Sequence, residues 1–273
     1  MPGAKVPEGM SSLAPQRTSA DFASTSQTTI KPASLNQKPL NDVPLDFGGL
    51  QQEQTHKYKW FTVTDNGKGK SEDYALLVIS SRLEKGGLLL HDKITLAPAY
   101  EGTVFERTTK YPKGDLLHPE QITLDIIGDG KSVREMSYEK GEMRIKNDSG
   151  GTNIEHPKFN NGILTFNALL RLAPLLPRDI GKAYAFQMYA EPFLFRIREA
   201  KEKNDSFTIA SETSETVKIG TKPYKCVKFR LQLESARIRE DIWVGDNNLV
   251  VKFVDSSMDM DRDPYYLEAN LQE

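Results

Sequence analysis

The chain has 273 residues, 38% of them hydrophobic, which is enough for one large or two small domains with a sizeable core. Its 36 basic and 38 acidic side chains leave a formal net charge of -2, so no overall field draws it to nucleic acid or to an anionic membrane. No run approaches the ~20 apolar residues of a membrane-spanning helix, and the single cysteine, Cys226, has no partner for an internal disulfide.

Residues 1–50 are rich in Ser, Thr, Pro, Gln, Ala and Lys and show no hydrophobic period, the composition of a disordered leader or linker. The opening MPGAKVPEGMSSLAPQ has neither the basic head nor the apolar core of a secretion signal. Order is expected from about Tyr58, as a single β-rich domain over 51–258 in two strand-rich halves, 57–147 and 181–255. In the first half Tyr58 and Trp60 alternate with lysines, and Asp65 to Gly69 turns the chain before the apolar run Tyr74 to Ile79. Leu88 to Leu96 and Gly102 to Tyr111 give two further strands. Ile122, Leu124 and Ile126 then pair through Asp129-Gly130 with Val133 to Tyr138, completing an antiparallel meander.

A polar stretch centred on Ser149-Gly150-Gly151 separates the halves. One short helix follows, near 165–173, because Phe166, Leu169, Leu170 and Ala173 keep helical spacing and Pro174 and Pro177 close it. Strands resume as Tyr184 to Tyr189, Phe193 to Arg198, Phe207 to Ser211 and Thr216 to Ile219. The strongest signal comes next. Val227, Phe229, Leu231 and Leu233 oppose Lys228, Arg230, Gln232 and Glu234, and Ile238 to Val244 turns through Gly245 to Asn248 into Leu249, Val251 and Phe253. The closing residues, 259–273, read as an acidic tail, either frayed or strapped over the sheet. Asp259, Asp261 and Asp263 have the opening spacing of a calcium loop. Pro264 stands where such a loop needs Gly, and Asn270 where it needs Glu, so no metal site is expected.

The run LLRLAPLLPRDIGKAYAFQMY, followed by ETVKIGTKPYKCVKFRLQL and REDIWVGDNNLVVKF, is similar to the exported bacterial family known as domain of unknown function 3108. The likeness spans about residues 57–255. It rests on a short helix with a Leu-Pro segment, a Gly before an aromatic strand, and a closing strand with Trp243. The resemblance implies a mainly β fold: a curved, largely antiparallel sheet or a partly closed β-roll or barrel with an apolar concavity. It also implies an exported or periplasmic location and no catalytic residues. No cofactor is expected either, because the Gly-Lys turns lack the full spacing of a phosphate loop and no G-x-S-x-G occurs.

Two residue sets are candidate ligand-binding groups. Arg196 with Arg198, and Arg237 with Arg239, project pairwise from one face of a strand and can form a patch for carboxylates or phosphates, although Glu199, Glu240 and Asp241 lie close enough to neutralise them. The aromatic residues Trp60, Tyr184, Phe186 and Trp243 can line a cavity for an acyl chain or glycan, or can simply fill the core. The sequence therefore points first to a noncatalytic envelope-associated binding or scaffold module whose partner is a lipid, a glycan or an envelope protein. One alternative is a hydrolase or transferase drawing Glu106, Asp125 or Glu135 together with His118. The other is an interaction module docking through the leader or the tail.

Overall fold

Period-two alternation builds almost every element of the computed structural model, which describes residues 38–39, 43, 45, 53–63, 71–100, 102–116, 118–128, 131–140, 142–147, 152–155, 163–164, 166–190, 204–233, 238–255 and 266–272. A two-residue strand, β1 (Lys38–Pro39), precedes the first arm, which contains β2 (Glu53–Val63), β3 (Ser71–Glu84), β4 (Gly87–Leu96), β5 (Val104–Pro112), β6 (Gln121–Gly128), β7 (Lys131–Glu139), β8 (Glu142–Asn147) and β9 (Thr152–Glu155). After β10 (Ile163–Leu164) the helix α1 (Phe166–Leu172) runs into a 3-10 turn at Ala173–Leu175. The second arm is β11 (Ala183–Ala190), β12 (Asn204–Ile219), β13 (Lys222–Leu233), β14 (Ile238–Gly245), β15 (Val250–Asp255) and β16 (Tyr266–Gln272).

All these strands join one sheet in the order β1-β11-β12-β13-β14-β15-β16-β2-β3-β4-β5-β6-β7-β8-β9, with β10 also on β11. Among the described residues β1 and β10 pair in parallel with β11 and every other pair is antiparallel. The sheet is open, since β9 does not meet the β1 end. It curves around α1. The helix packs on β4 and its 3-10 extension on β14, two strands separated within the sheet by β15, β16, β2 and β3. A flat sheet could not bring both to one helix. The expected mainly β architecture with one short helix is thus the observed one.

Two expectations need correction. Phe207 to Ser211 and Thr216 to Ile219 belong to one long strand, β12, whose pairing with β13 slips between Ser211 and Thr213, leaving Glu212 as an extra residue. A bulge of this kind interrupts the alternation and mimics a strand break. The closing segment is no acidic tail over 266–272. It is β16, paired on one side with β15 at Lys252↔Asn270 and on the other with β2 at Trp60↔Ala269, so it is the seam between the arms. Leu267, Ala269 and Leu271 alternate inward and are buried. Part of the expected leader is ordered as well: Lys38 and Pro39 pair with β11, and Val43 is buried in the main core. The rest of residues 1–50 apart from Leu45, the segment Phe193 to Arg198 and the three aspartates of 259–263 lie outside the described residues.

The main core gathers Tyr58, Leu77, Ile79, Leu88, Leu90 and Tyr111 from the first arm with Phe207, Ile209, Phe229, Leu231, Ile242 and Phe253 from the second, and α1 sits between them. Among the described side chains, α1 is buried on every face: Ala168, Leu169, Leu170, Arg171 and Leu172 are all buried, as is Ala173 of the 3-10 turn. Arg178 ties the chain after the helix to the β14–β15 turn, donating to the Gly245 carbonyl at 3.0 Å. There Asn248 adopts φ 60°, the left-handed backbone that asparagine tolerates.

Candidate functional site on the inner face

Alternation along β2 sends Gln54, His56, Tyr58 and Trp60 to the face that looks at α1. Burial deepens along the strand: Gln54 and His56 are half-buried and Tyr58 is buried. Tyr58 donates its hydroxyl to the Val250 carbonyl at 3.0 Å, across the intervening β16, and burial pushes its phenol up to about 12. Facing this strand is Arg171 of α1, only 6% exposed. Its Nη1 donates to Gln54 Oε1 at 2.8 Å, while its buried Nη2 has no hydrogen-bond partner among the described residues. Burial pulls the guanidinium below its usual pKa. Burial, and secondarily the charge of Arg171, also lowers the His56 imidazole to about 4, so the ring is neutral at pH 7; its buried Nε2 likewise has no partner among the described residues. Two polar groups with unmet capacity thus converge where the inner face opens outward at Gln54.

Farther along the same face, Asp92 of β4 and Arg107 of β5 stand in register and form a buried ion pair at 3.7 Å, 0% and 2% exposed. Glu240 of β14, 1% exposed and opposite Asp255, has no hydrogen-bond partner among the described residues on either carboxylate oxygen. Burial, reinforced by the Asp255 charge, raises its pKa well above the ordinary carboxylate range, so it is held as the neutral acid.

The structure separates the aromatic candidates. Trp60 stacks between Tyr74 (centroids 6.2 Å apart) and Phe253 (6.3 Å), bridging β3 and β15 across the seam. Tyr184 is buried in the main core, in register with Lys38 and Ile209. Trp243 belongs to a charged network. Its Nε1 donates to Glu215 at 2.7 Å, and the Lys228 and Lys252 ammonium groups lie 5.2 and 5.4 Å from its ring. Around it Arg230 and Lys228 both reach Asp241, at 2.8 and 2.9 Å, and both reach Glu212. Burial works to raise the Asp241 carboxyl, but hydrogen bonds from Arg230 and Lys228 outweigh it and hold the pKa low. Arg196, Arg198 and Arg237 lie outside the described residues; Arg239 is placed by register opposite Gln232, and Phe186 opposite Phe207, their side chains lying outside the described part.

Of the acid–base alternative, Glu106, Asp125 and Glu135 do come together, directly opposite one another across β5, β6 and β7. They line a groove of about 640 Å³ with Thr123, Ser137, Arg144 and Lys146. Lys93 bonds Glu106 at 2.9 Å and Lys146 bonds Glu135 at 3.3 Å, so the row is bracketed by cations. His118 does not line this groove; its ring Nδ1 lies 2.8 Å from Asp115 Oδ2 in the β5–β6 connection.

Cys226 is buried, and its thiol is pushed up to about 11 chiefly by burial, which leaves it protonated and unreactive. Among the described residues no helix is long and apolar enough to cross a membrane.

Sequence reasoning missed Arg171. The available signal was an arginine standing alone among the apolar residues of LLRLAPLL.

No protein-family model matches the chain, including that of domain of unknown function 3108, and no curated protein sequence matches it. Among solved structures, the chain is similar to a protein of Bacteroides fragilis NCTC 9343 described as a candidate exported protein with a YmcC-like fold. That match has 10% sequence identity, covers 81% of this chain and 94% of the other, and has a TM-score of 0.27, a weak and distant likeness.

Proposed function

We propose that the chain is a noncatalytic binding module of the bacterial envelope that holds its ligand at the inner face of the curved sheet, against α1 and the open end of β2. One observation carries this reading: Arg171 of α1 bonds Gln54 on the strand face that also carries His56, and among the described residues both Arg171 and His56 keep buried polar atoms with no hydrogen-bond partner. Buried polar groups in native proteins are nearly always satisfied by protein, water or a ligand. The motif resemblance to the exported family is what points to the envelope location. Trp60, half-buried farther along the same strand face, supplies aromatic surface suited to a lipid or glycan. The Trp243 and Asp241 network supports a different role for the outer face, because its charges are already paired.

Native mass spectrometry of protein purified without detergent from its own host tests the proposal. The expected result is a reproducible adduct of several hundred daltons that leaves on denaturation. A clean apo mass from repeated host preparations would remove it.

A further inference from the structure

Arg171 is a buried charge that meets no opposite charge among the described residues. Among the described residues its one hydrogen bond goes to a neutral amide oxygen, that of Gln54. The buried carboxylate of this face, Asp92, stands in register with Arg107, so of the two inward arginines the second is the one already answered by a carboxylate. Glu240 is held neutral by its own burial. A buried unpaired cation costs several kcal/mol, and the C-terminal end of α1, where Arg171 sits, returns at most ~2 kcal/mol through the helix dipole. Tyr58 cannot serve as the counter-ion, because its hydroxyl is engaged with Val250 and stays protonated to about pH 12. The neighbouring His56 adds no positive charge at neutral pH and offers a ring nitrogen instead.

From this arrangement we infer that Arg171, with Gln54 and His56 beside it, is the binding site for an oxyanion, a carboxylate or phosphate group that enters at the half-buried end of β2 and pairs with the free Nη2. The inference rests on the binding-module reading and names the chemistry that module recognises. The guanidinium supplies a planar fork of donors that fits two oxygens at once. Gln54 already holds the fork by one nitrogen, which fixes its plane and leaves the other aimed at the incoming group. Neutral His56 can donate from one ring nitrogen, completing a three-sided cradle without adding a charge that would repel Arg171. An oxyanion head with an apolar tail would have its tail directed along Tyr58 and Trp60.

The experiment measures equilibrium binding to the full chain by calorimetry, with four probes: inorganic phosphate, acetate, hexadecanoate, and hexadecan-1-ol as the neutral analogue of equal length. Wild-type protein is expected to bind hexadecanoate about 10- to 100-fold more tightly than the alcohol, the range that one buried charge-assisted hydrogen bond supplies. The Arg171→Met variant, which keeps the volume and removes the charge, is expected to lose that preference, and Arg171→Lys to keep part of it. Binding of phosphate and acetate at comparable strength would assign the site to a free oxyanion; binding of hexadecanoate alone would assign it to an amphiphile's head.

Thermal melting without probe gives a second readout. Arg171→Met is expected to melt at or above the wild-type temperature, since replacing an unpaired buried charge by a well-packed apolar side chain stabilises. The inference fails if wild type binds the acid and the alcohol equally, if Arg171→Met keeps the wild-type preference, or if Arg171→Met melts well below wild type. In the first two cases a host-derived adduct that persists in Arg171→Met would leave the binding-module proposal standing. Absence of any adduct together with no probe binding would end both.

Discussion

Leu271 measures whether the seam of the sheet is where β16 places it. The side chain is 7% exposed, packs in the main core, and stands in register with Tyr58 of β2. Leu271→Ala removes three buried carbons, worth ~2 kcal/mol in transfer from water, and adds a cavity term because β2 and β15 are held by their own neighbours and can only partly collapse. The expected loss is ~3 kcal/mol, which for a domain of this size lowers the melting temperature by ~6–12 °C. Gln272→Ala is the control. Gln272 is exposed on the same strand, and the change should stay within ~0.5 kcal/mol. Urea titration of the pair, with a common slope, separates stability from denatured-state effects. If the two variants unfolded at the same urea concentration, residues 266–272 would be a tail after all and the seam would have to lie elsewhere.

Three further outcomes are expected. Gly87→Ala should cost ~3 kcal/mol or more by thermal melting, because an added Cβ would sit 1.8 Å from the Tyr111 carbonyl oxygen and force β4 off β5; a wild-type melt would show that this contact relaxes freely. Glu240→Gln should stabilise, and increasingly so as pH rises. Folded Glu240 keeps its proton above the pH at which the unfolded chain releases it, so wild-type stability is drawn down as pH climbs from the ordinary carboxylate range toward the raised folded value, while Gln carries no such dependence. A melting difference that is equal at pH 4 and pH 8 would mean that Glu240 is ionised in the fold. Cys226 should resist a thiol-reactive dye at pH 8 in native protein and react fully in guanidinium, given its burial and raised pKa; rapid native labelling would refute the closed packing around β13.

Much of the sheet was legible because its strands have one wet and one dry face. Phe229 and Leu231 against Lys228 and Arg230 is such a pattern, and it survives intact in β13. The helix was legible from the spacing of Leu169, Leu170 and Ala173, and it forms at Phe166–Leu172. What failed were the places where a local rule met a longer-range one. Glu212 broke the alternation of β12 because it is the bulge residue, and a single chain does not reveal which partner strand skips it. Leu267, Ala269 and Leu271 do alternate, but alanine is a weak signal and the acidic run before them dominated the reading. Trp243 showed the limit of composition as a guide: an aromatic residue counted toward a cavity spends its face on two lysines. Arg171 escaped because spacing gives the faces of a helix and not how many of them are covered. Here all of them are, since both arms of the sheet close on α1.

The position of β16 also governs the order in which this protein can be assembled. Residues 53–63 are synthesised early and residues 266–272 late, yet they are adjacent strands, so the pairing of Tyr58 with Leu271 closes a loop that contains nearly the whole of both arms. Until that last strand emerges, β2 and β15 each present an open edge, and the two edges are able to find each other or a neighbouring chain instead. The same late strand that unites the sheet is therefore the step at which misassembly competes, and alternating Lys57 and Lys59 on β2 place positive charge along the edge that waits longest.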